Sequence, residues 1–389
     1  MSRADVRADG GGRAVRVLYL VPMLGTGGVP QSLLLIARNA KACGVEFSLA
    51  LLFPLSEPSI TAELGALGVT PHVVGPGPGS AGGLRAWRRV VANVGRLCAD
   101  LGIDVVDSCE PNADLAGRFA CAGRRRKHVI HLIATGYKER LRRFGKRGWE
   151  VARLYAATSR LTDGYVAVSR TVAEDTARGL GTPRRRIAVI SRGVDLEGFP
   201  AQPPRPADGR LRLLSVGRLT PWKGLGTAVR AVGLARSRGV DATLTIAGEG
   251  DHREALTNLV SELGLGGVVR FVGHTRAVAD LHRDHDAFLF PSESEGLGNA
   301  LLEAMASARP AIVSDIAPSR EAAGPAALRF RPGDEAALAA AIGRVAAMSQ
   351  AERAAMGSRA RRRVEERYDI HVAVDRLAGY YRELIGGRR

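Results

Sequence analysis

The sequence predicts an α/β protein of two doubly wound parallel-sheet domains facing each other across a cleft. Three observations predict it. Short β-branched runs alternate with helical stretches from end to end, a pattern that builds parallel sheets covered by helices on both faces. The strand runs are continuously apolar, as strands buried on both faces must be. The alternation pauses once, at the proline-dense stretch from Pro200 to Gly209, and then restarts. A chain of 389 residues, 46% hydrophobic, is too long for one ordinary domain and suits two.

In the first series Val15–Val21 reads as a strand and Gln31–Lys41 as a helix, then Phe47–Phe53 as a strand and Ile60–Leu67 as a helix. Val73-Val74, Val105-Val106, Val129–Ile133 and Tyr165–Val168 are further short strands with helical segments between them. Residues 1–13 read as a disordered leader, 14–198 as the first domain and 199–209 as a linker. The second domain, 210–368, has strands at Leu211–Val216, Ala242–Ala247, Val268–Val272, Ala287–Phe290 and Ala311–Val313. Its helices are Leu225–Arg236, one near Asn299–Ser307, Glu335–Met348 and Ala351–Glu366; a last helix, His371–Leu384, lies in a terminal segment, 369–389.

Mean hydropathy is −0.03, and the longest apolar runs fall short of the ~18 residues a membrane-spanning helix needs. Cys43, Cys98, Cys109 and Cys121 include no CxxC pair, so neither a zinc site nor a disulfide framework is expected, and a reducing cytoplasm is the expected setting. The net charge is +17. Residues 1–200 hold 29 Lys+Arg against 17 Asp+Glu, or +12. Much of the excess lies between Arg118 and Arg153, including Arg124 to Lys127 and Lys138, Arg140, Arg142, Arg143, Lys146 and Arg147. Such a patch attracts nucleic acid, an anionic membrane or a phosphorylated substrate, or is simply a solvated surface. Aromatic residues are only 5%, which speaks against base stacking, and no nucleic-acid partner is expected. Leu141, Phe144, Trp149, Val151, Leu154 and Tyr155 are scattered among these cations, so peripheral contact with the inner face of an anionic membrane is an expectation.

Three strand-to-helix loops carry residues suited to a phosphorylated ligand. The first, Leu24 to Pro30, contains Gly27 and Gly28, with Pro30 suited to the first helical position. Free N–H groups at a helix start favour phosphate, although the same residues also make an ordinary tight turn. The second, Val216 to Gly224, carries Arg218 and Lys223, a planar fork and a point charge that both suit a diphosphate. In the third, Phe290 to Met305, a strand enters a glycine turn and then a helix. Amides around Leu297, Gly298 and Asn299 would meet an anion, while Glu295 and Glu303 would accept from hydroxyls. The triplet Asp284-His285-Asp286, with His282, reads as a charged helix-to-strand turn rather than a metal site. No P-loop and no GxSxG elbow is present.

Together these segments resemble glycosyltransferase family 4. The resemblance is carried by Gly217-Arg218-Leu219 with Lys223-Gly224, by Ala247-Gly248-Glu249-Gly250, by Phe271-Val272-Gly273-His274, and by Pro291-Ser292, Glu295-Gly296 and Leu302-Glu303-Ala304-Met305-Ala306, in the family's order. Val189 to Asp195 with Phe199 resembles the interdomain element, and Gly27-Gly28 the N-terminal loop. The resemblance implies a GT-B fold of two Rossmann-like domains and a retaining transfer of a sugar from a nucleotide-diphosphate donor, with no cofactor and no essential metal. By that resemblance Arg218 and Lys223 grip the donor diphosphate together with the Gly217 and Gly248 loops. Glu303 holds the ribose, Glu295 contacts the transferring sugar, Gly273-His274 lies near the base, and Gly27 and Gly28 close over the phosphate and sugar. The acceptor stays unidentified, a cell-envelope or specialised-metabolite molecule. Two positions depart from the family pattern: Arg192 stands where Asn is frequent, and the histidine frequent after the fifth strand falls on Ala134 or Thr135, leaving His131 and Thr135 as acceptor-side candidates. A catalytically inactive module of the same fold, another GT-B enzyme such as a nucleotide-sugar epimerase or a sugar-phosphate synthase, and a basic nucleic-acid-binding protein are the rival readings.

Overall fold

The computed structural model describes residues 13–25, 27–54, 58–75, 83–137, 141, 148–206 and 208–387. Residues 1–12 of the leader, Thr26, Ala207, and basic residues Lys138, Arg140, Arg142, Arg143, Lys146 and Arg147 with Phe144 lie outside them.

The first sheet has seven strands: β1 (Val15–Val21), β2 (Val45–Leu51), β3 (His72–Val73), β4 (Val105–Ser108), β5 (Lys127–Leu132), β6 (Gly164–Ala167) and β7 (Ile187–Val189). Their order is β3-β2-β1-β4-β5-β6-β7, and each pairing is parallel. The second has β8 (Leu211–Val216), β9 (Ala242–Ala247), β10 (Val269–Gly273), β11 (Ala287–Phe290), β12 (Ala311–Ser314) and β13 (Leu328–Phe330), in the order β10-β9-β8-β11-β12-β13. Chain order therefore reverses beside β1 in one domain and beside β8 in the other. Open α/β sheets bind ligands outside the carboxyl ends of the strands at such a reversal. The loops after β1, β8 and β11 carry most of the candidate residues.

Both faces of the strands are buried. Val17, Tyr19 and Leu49 pack into one apolar cluster, while Leu18, Leu20 and Ala50 pack into another on the opposite face. This is why β1 reads as an unbroken apolar run. The strands β7 and β13 escaped the sequence reading because each is three residues long at a sheet edge, and β13 carries Arg329 at its centre. The first helix spans Gly28–Ala40. Pro30 is thus its third residue, not its first, because Gly27 at φ +125° already turns the chain into the helix.

A buried polar network corrects the reading of the basic stretch. Arg118 is fully buried, not part of a surface patch. It donates to Thr162 Oγ1 (2.9 Å), Tyr155 O (2.7 Å) and Thr158 Oγ1 (2.7 Å), and its guanidinium lies 4.3 Å from the centre of the Tyr155 ring. Beside it, Asp114 accepts from Ser108 (2.8 Å), Tyr155 (3.1 Å) and Tyr137, and burial pushes its carboxyl up to about 8. Tyr137, Leu141 and Tyr155 are therefore core residues, whereas Arg124, Arg125, Trp149 and Leu154 are exposed.

After Gln350–Arg367 the chain crosses back, and the helix Ile370–Ile385 packs on the first sheet with Leu377, Ala378, Tyr381 and Leu384 among Val15, Val17 and Tyr19. The crossing is backbone on backbone. Val194 N donates to Tyr368 O (2.7 Å), and Ile370 N donates to Val194 O (3.2 Å). A Cβ on Gly193 would stand 2.1 Å from Ile370 Cα. Gly193→Ala is expected to cost about 1–3 kcal/mol in urea unfolding, because rigid backbone must move to admit the methyl group. Gly379→Ala, in the same terminal helix with nothing within 4 Å of its Cβ, is the control and should be neutral or stabilising by about 0.5–1 kcal/mol.

Candidate functional site

Two loops of the second domain meet at the carboxyl ends of β8 and β11. After β8 the chain turns through Pro221–Lys223 to Gly224, at φ +63°. A Cβ on Gly224 would stand 2.1 Å from Pro291 O, so only glycine lets the two loops touch. Their contact brings Lys223 to Glu295, with Nζ 2.6 Å from Oε1. Both side chains are largely buried, at 20% and 12% exposure. At so short a distance each holds the other in place. Arg218 lies on the same loop, exposed, and has no hydrogen bond or ion pair among the described residues.

The helix Asn299–Ala306 begins at Gly298, φ +83°. Glu303 lies on it, half-buried, and its side chain has no hydrogen-bond or ion-pair partner among the described residues. The surrounding protein is dense enough to push its carboxyl up to about 7. An acceptor group held this way suits ligand hydroxyls. Leu297 is buried in the core, so only its backbone is available to a ligand at the helix start. Gly217, Gly248 and Gly273 stand at positive φ where their strands leave the sheet, and His274 is exposed after β10.

The first domain closes over this site. Gly296 lies against the end of β5, and a Cβ there would stand 1.9 Å from Ile133 O. Ser169 Oγ donates to Gly296 O (2.8 Å) and Thr135 Oγ1 to Glu295 O (3.3 Å). Thr135 therefore reaches the cleft and braces the Glu295 backbone. Asn299 uses its side chain to bridge domains, donating to Gly28 O (3.5 Å) and Ser32 Oγ (3.3 Å). A Cβ on Gly27 would stand 4.0 Å from Arg218 Nη2, so the N-terminal loop and the cationic loop face each other.

His131 lies deeper. Tyr19 pairs with Asp107 and Asp107 with Val129, so Tyr19, Asp107 and His131 share one face of the sheet. His131 Nδ1 is 3.4 Å from Asp107 Oδ2, which also accepts from Tyr381 OH. Asp107, Glu110 and Ser169 were missed by the sequence reading. Glu110 follows β4 at φ +85°, a conformation rare outside glycine, just ahead of Pro111. A negative charge between a strand and an EP-initiated helix was the available signal for it. No such signal existed for Asp107, which reads as an interruption of a short strand.

The triplet at 284–286 is a turn. His285 bonds Leu281 O (2.6 Å) and Thr245 Oγ1 (2.8 Å), and Asp286 Oδ2 accepts from Arg212 N (2.7 Å). The ring of His282 is buried near Phe199 and Phe288, and desolvation drives it down to about 3, keeping it neutral.

Two family models match in tandem: Glycosyltransferase Family 4 over residues 26–197 and Glycosyl transferases group 1 over residues 201–363. Among curated relatives, glycogen synthase of Mycobacterium tuberculosis is 35% identical over 188 residues, 47% of this chain and 45% of that protein. The amylovoran biosynthesis glycosyltransferase AmsK of Erwinia amylovora is 31% identical over 210 residues, 51% of each. The chain spans about half the length of these relatives. Among solved structures, Anabaena HepE in complex with UDP and glucose superposes with a TM-score of 0.79 at 20% identity, covering 95% of this chain and 100% of that one. Sucrose-phosphate synthase from Thermosynechococcus elongatus does so with 0.78 at 19%, covering 96% and 100%. Matched by both models across its two parallel-sheet domains, the chain belongs to the family 4-like glycosyltransferases of the GT-B fold.

Proposed function

We propose that the protein is a hexosyltransferase that moves a sugar, with retention of configuration, from a nucleotide-diphosphate donor to an acceptor held by the first domain. The observation that carries this reading is the Lys223–Glu295 pair at the β8–β11 reversal. As the sugar–phosphate bond breaks, negative charge grows on the diphosphate and positive charge on the sugar. Cations fixed on one side and a carboxylate on the other oppose both changes in a site already partly dry. Arg218 and Lys223 act on the diphosphate, Glu295 faces the sugar, and unpaired Glu303 accepts from the ribose hydroxyls. Gly217, Gly248 and the Gly298 turn let backbone approach the phosphates, with Gly27 and Gly28 closing from the opposite domain. His274 lies toward the base, and His131 with Thr135 on the acceptor side. The reading requires no acid–base pair and no protein nucleophile: the acceptor hydroxyl attacks from the face the diphosphate leaves, the sugar–phosphate bond breaks, and the hydroxyl proton passes to the departing phosphate oxygen.

UDP in the HepE structures supports trying UDP first. A thermal-shift panel of UDP, GDP, ADP, dTDP and CDP should raise Tm with at least one nucleotide by mass action, and Arg218→Ala should remove that shift. No shift with any nucleotide would favour an inactive module. In turnover assays Arg218→Ala and Lys223→Ala should each lower kcat by about 10²–10³, roughly 2.7–4 kcal/mol. Wild-type rates in both would refute their assignment.

Glu303 supplies a pH dependence. Its carboxyl titrates at about 7 in the free protein because burial disfavours the charged form. Ribose hydroxyls donate to the ionised form, so nucleotide binding weakens as pH falls through about 7 and strengthens above it. The same raised value means that ionising Glu303 weakens the fold as pH rises from its unfolded value of about 4.3 through about 7. Calorimetric titration with the tightest-binding nucleotide across this range, for wild type and Glu303→Gln, checks the sign. The variant should lack the Glu303 part of the slope.

A membrane contact rests on exposed Trp149 and Leu154 on the helix Gly148–Ala157, with exposed Arg124 and Arg125 in the same domain. Flotation should favour anionic over neutral vesicles, with Trp149→Ala reducing the difference.

A further inference from the structure

A pocket opens in the first domain between β1, the ends of β4 and β5, the helix Gly28–Ala40 and the crossing helix Ile370–Ile385. Its walls are mostly aliphatic, among them Val29, Leu33, Ile36, Ile133, Val374 and Leu377. Such walls give a bare sugar few hydrogen-bond partners and suit an apolar body. Polar groups are few. The His131–Asp107 contact lines one part of the pocket, with Asp107 Oδ1 buried and unpartnered.

Arg192 is the one Lys or Arg among the described residues lining it. Its Nη1 lies 3.4 Å from where a Cβ on Gly28 would stand, which puts the guanidinium where the pocket meets the donor cleft. It makes no hydrogen bond or ion pair with any described residue. Burial pulls the guanidinium below its ordinary range, against the opposing pull of Cys109, Glu110 and Glu295. The Cys109 thiol is itself held neutral by burial, and Glu295 is already engaged by Lys223. The contrast with the buried arginines is direct: Arg118 and Arg309 both donate to backbone carbonyls. A planar fork of five donors, half-buried and with no acceptor among the described residues, is free to take a ligand that supplies one.

We propose that Arg192 recognises an oxyanion on the acceptor, so that the second substrate is an amphipathic acid. Its apolar body lies among the aliphatic walls, and its carboxylate or phosphate sits at the pocket mouth close to the reacting hydroxyl. The last point follows from position: Arg192 is beside Gly28, where the donor loop closes, so anion and hydroxyl share one end of the molecule. This rests on the transferase reading. The alternative source of the oxyanion is the donor diphosphate.

The test uses the full chain with matched probes. Salicylate and β-hydroxy acids with methyl, propyl and heptyl tails are titrated calorimetrically beside their primary amides. Short-chain monoacylglycerol phosphates are titrated beside the parent monoacylglycerols. All titrations are made with UDP saturating, and UDP is titrated separately. At least one anion should bind about 10-fold or more tightly than its neutral partner, the scale of one charge-assisted hydrogen bond. Arg192→Gln should erase that preference and leave the UDP affinity within about 2-fold, since Arg218 and Lys223 hold the diphosphate. Arg192→Lys, which keeps the charge and loses the fork, should keep part of the preference and serves if the glutamine variant does not fold. Equal binding of neutral partners, a preference that survives Arg192→Gln, or UDP binding without binding of any probe overturns the inference alone. Loss of UDP affinity in a folded Arg192→Gln assigns the residue to the donor and overturns it too. Failure of wild type to bind UDP or any other nucleotide of the panel overturns the transferase reading and this inference with it.

Discussion

The backbone of Gly296 lies against Ile133 O so closely that a methyl group there would stand 1.9 Å from the oxygen. Much of the site's geometry depends on this approach. It seats the loop that carries Glu295 on the end of β5, where Thr135 and Ser169 bond its two carbonyls. With that loop fixed from the first domain and Gly224 pressed on Pro291 within the second, Lys223 and Glu295 have little freedom except to meet. Preorganisation of this kind is what an electrostatic mechanism needs, because donors that must reorganise during bond breaking lose most of their effect.

The crossing helix ties the same closure to the acceptor pocket. Tyr381 reaches from it to Asp107, Tyr19 OH lies 2.9 Å from Tyr381 OH, and Asp107 contacts His131. Ile370, Val374 and Leu377 form one wall of that pocket. The segment that follows the second domain thus completes a cavity in the first. A change in domain spacing would alter the pocket and the donor site together, through the Val194–Tyr368–Ile370 backbone contacts.

Much of the second domain was legible in the sequence because its site is built from backbone. Gly217, Gly224, Gly248 and Gly298 stand at positive φ or at near-contact distances, and such positions restrict the residue to glycine. Arg218, Lys223 and Glu295 stand in loops that follow apolar strands, so their place at the sheet edge follows from the alternation. The first domain was legible as a fold but not as a site. Asp107 lies at the end of a short strand, and its partners, His131, Tyr19 and Tyr381, come from β5, β1 and the last helix. Contacts so distant along the chain leave no local spacing to read. Arg118 shows the same limit from the other side, since nothing adjacent to it announces Thr158, Thr162 and the Tyr155 carbonyl.

Net charge says little about which cations act. Of the 56 Lys and Arg residues, Arg118 is spent entirely within the fold, and Lys223 is paired with Glu295. Exposed arginines such as Arg124 and Arg125 are solvated and contribute mainly to the long-range field, which salt screens within about 10 Å. Arg218 and Arg192 differ from all of these in having no partner among the described residues while facing the cleft or its adjoining pocket. Arg218 is exposed and water can satisfy it. Arg192 is half-buried in the wall of the pocket, so its donors face whatever enters there. Partner accounting, rather than charge counting, therefore separates a cation that stabilises the fold from one that selects a ligand.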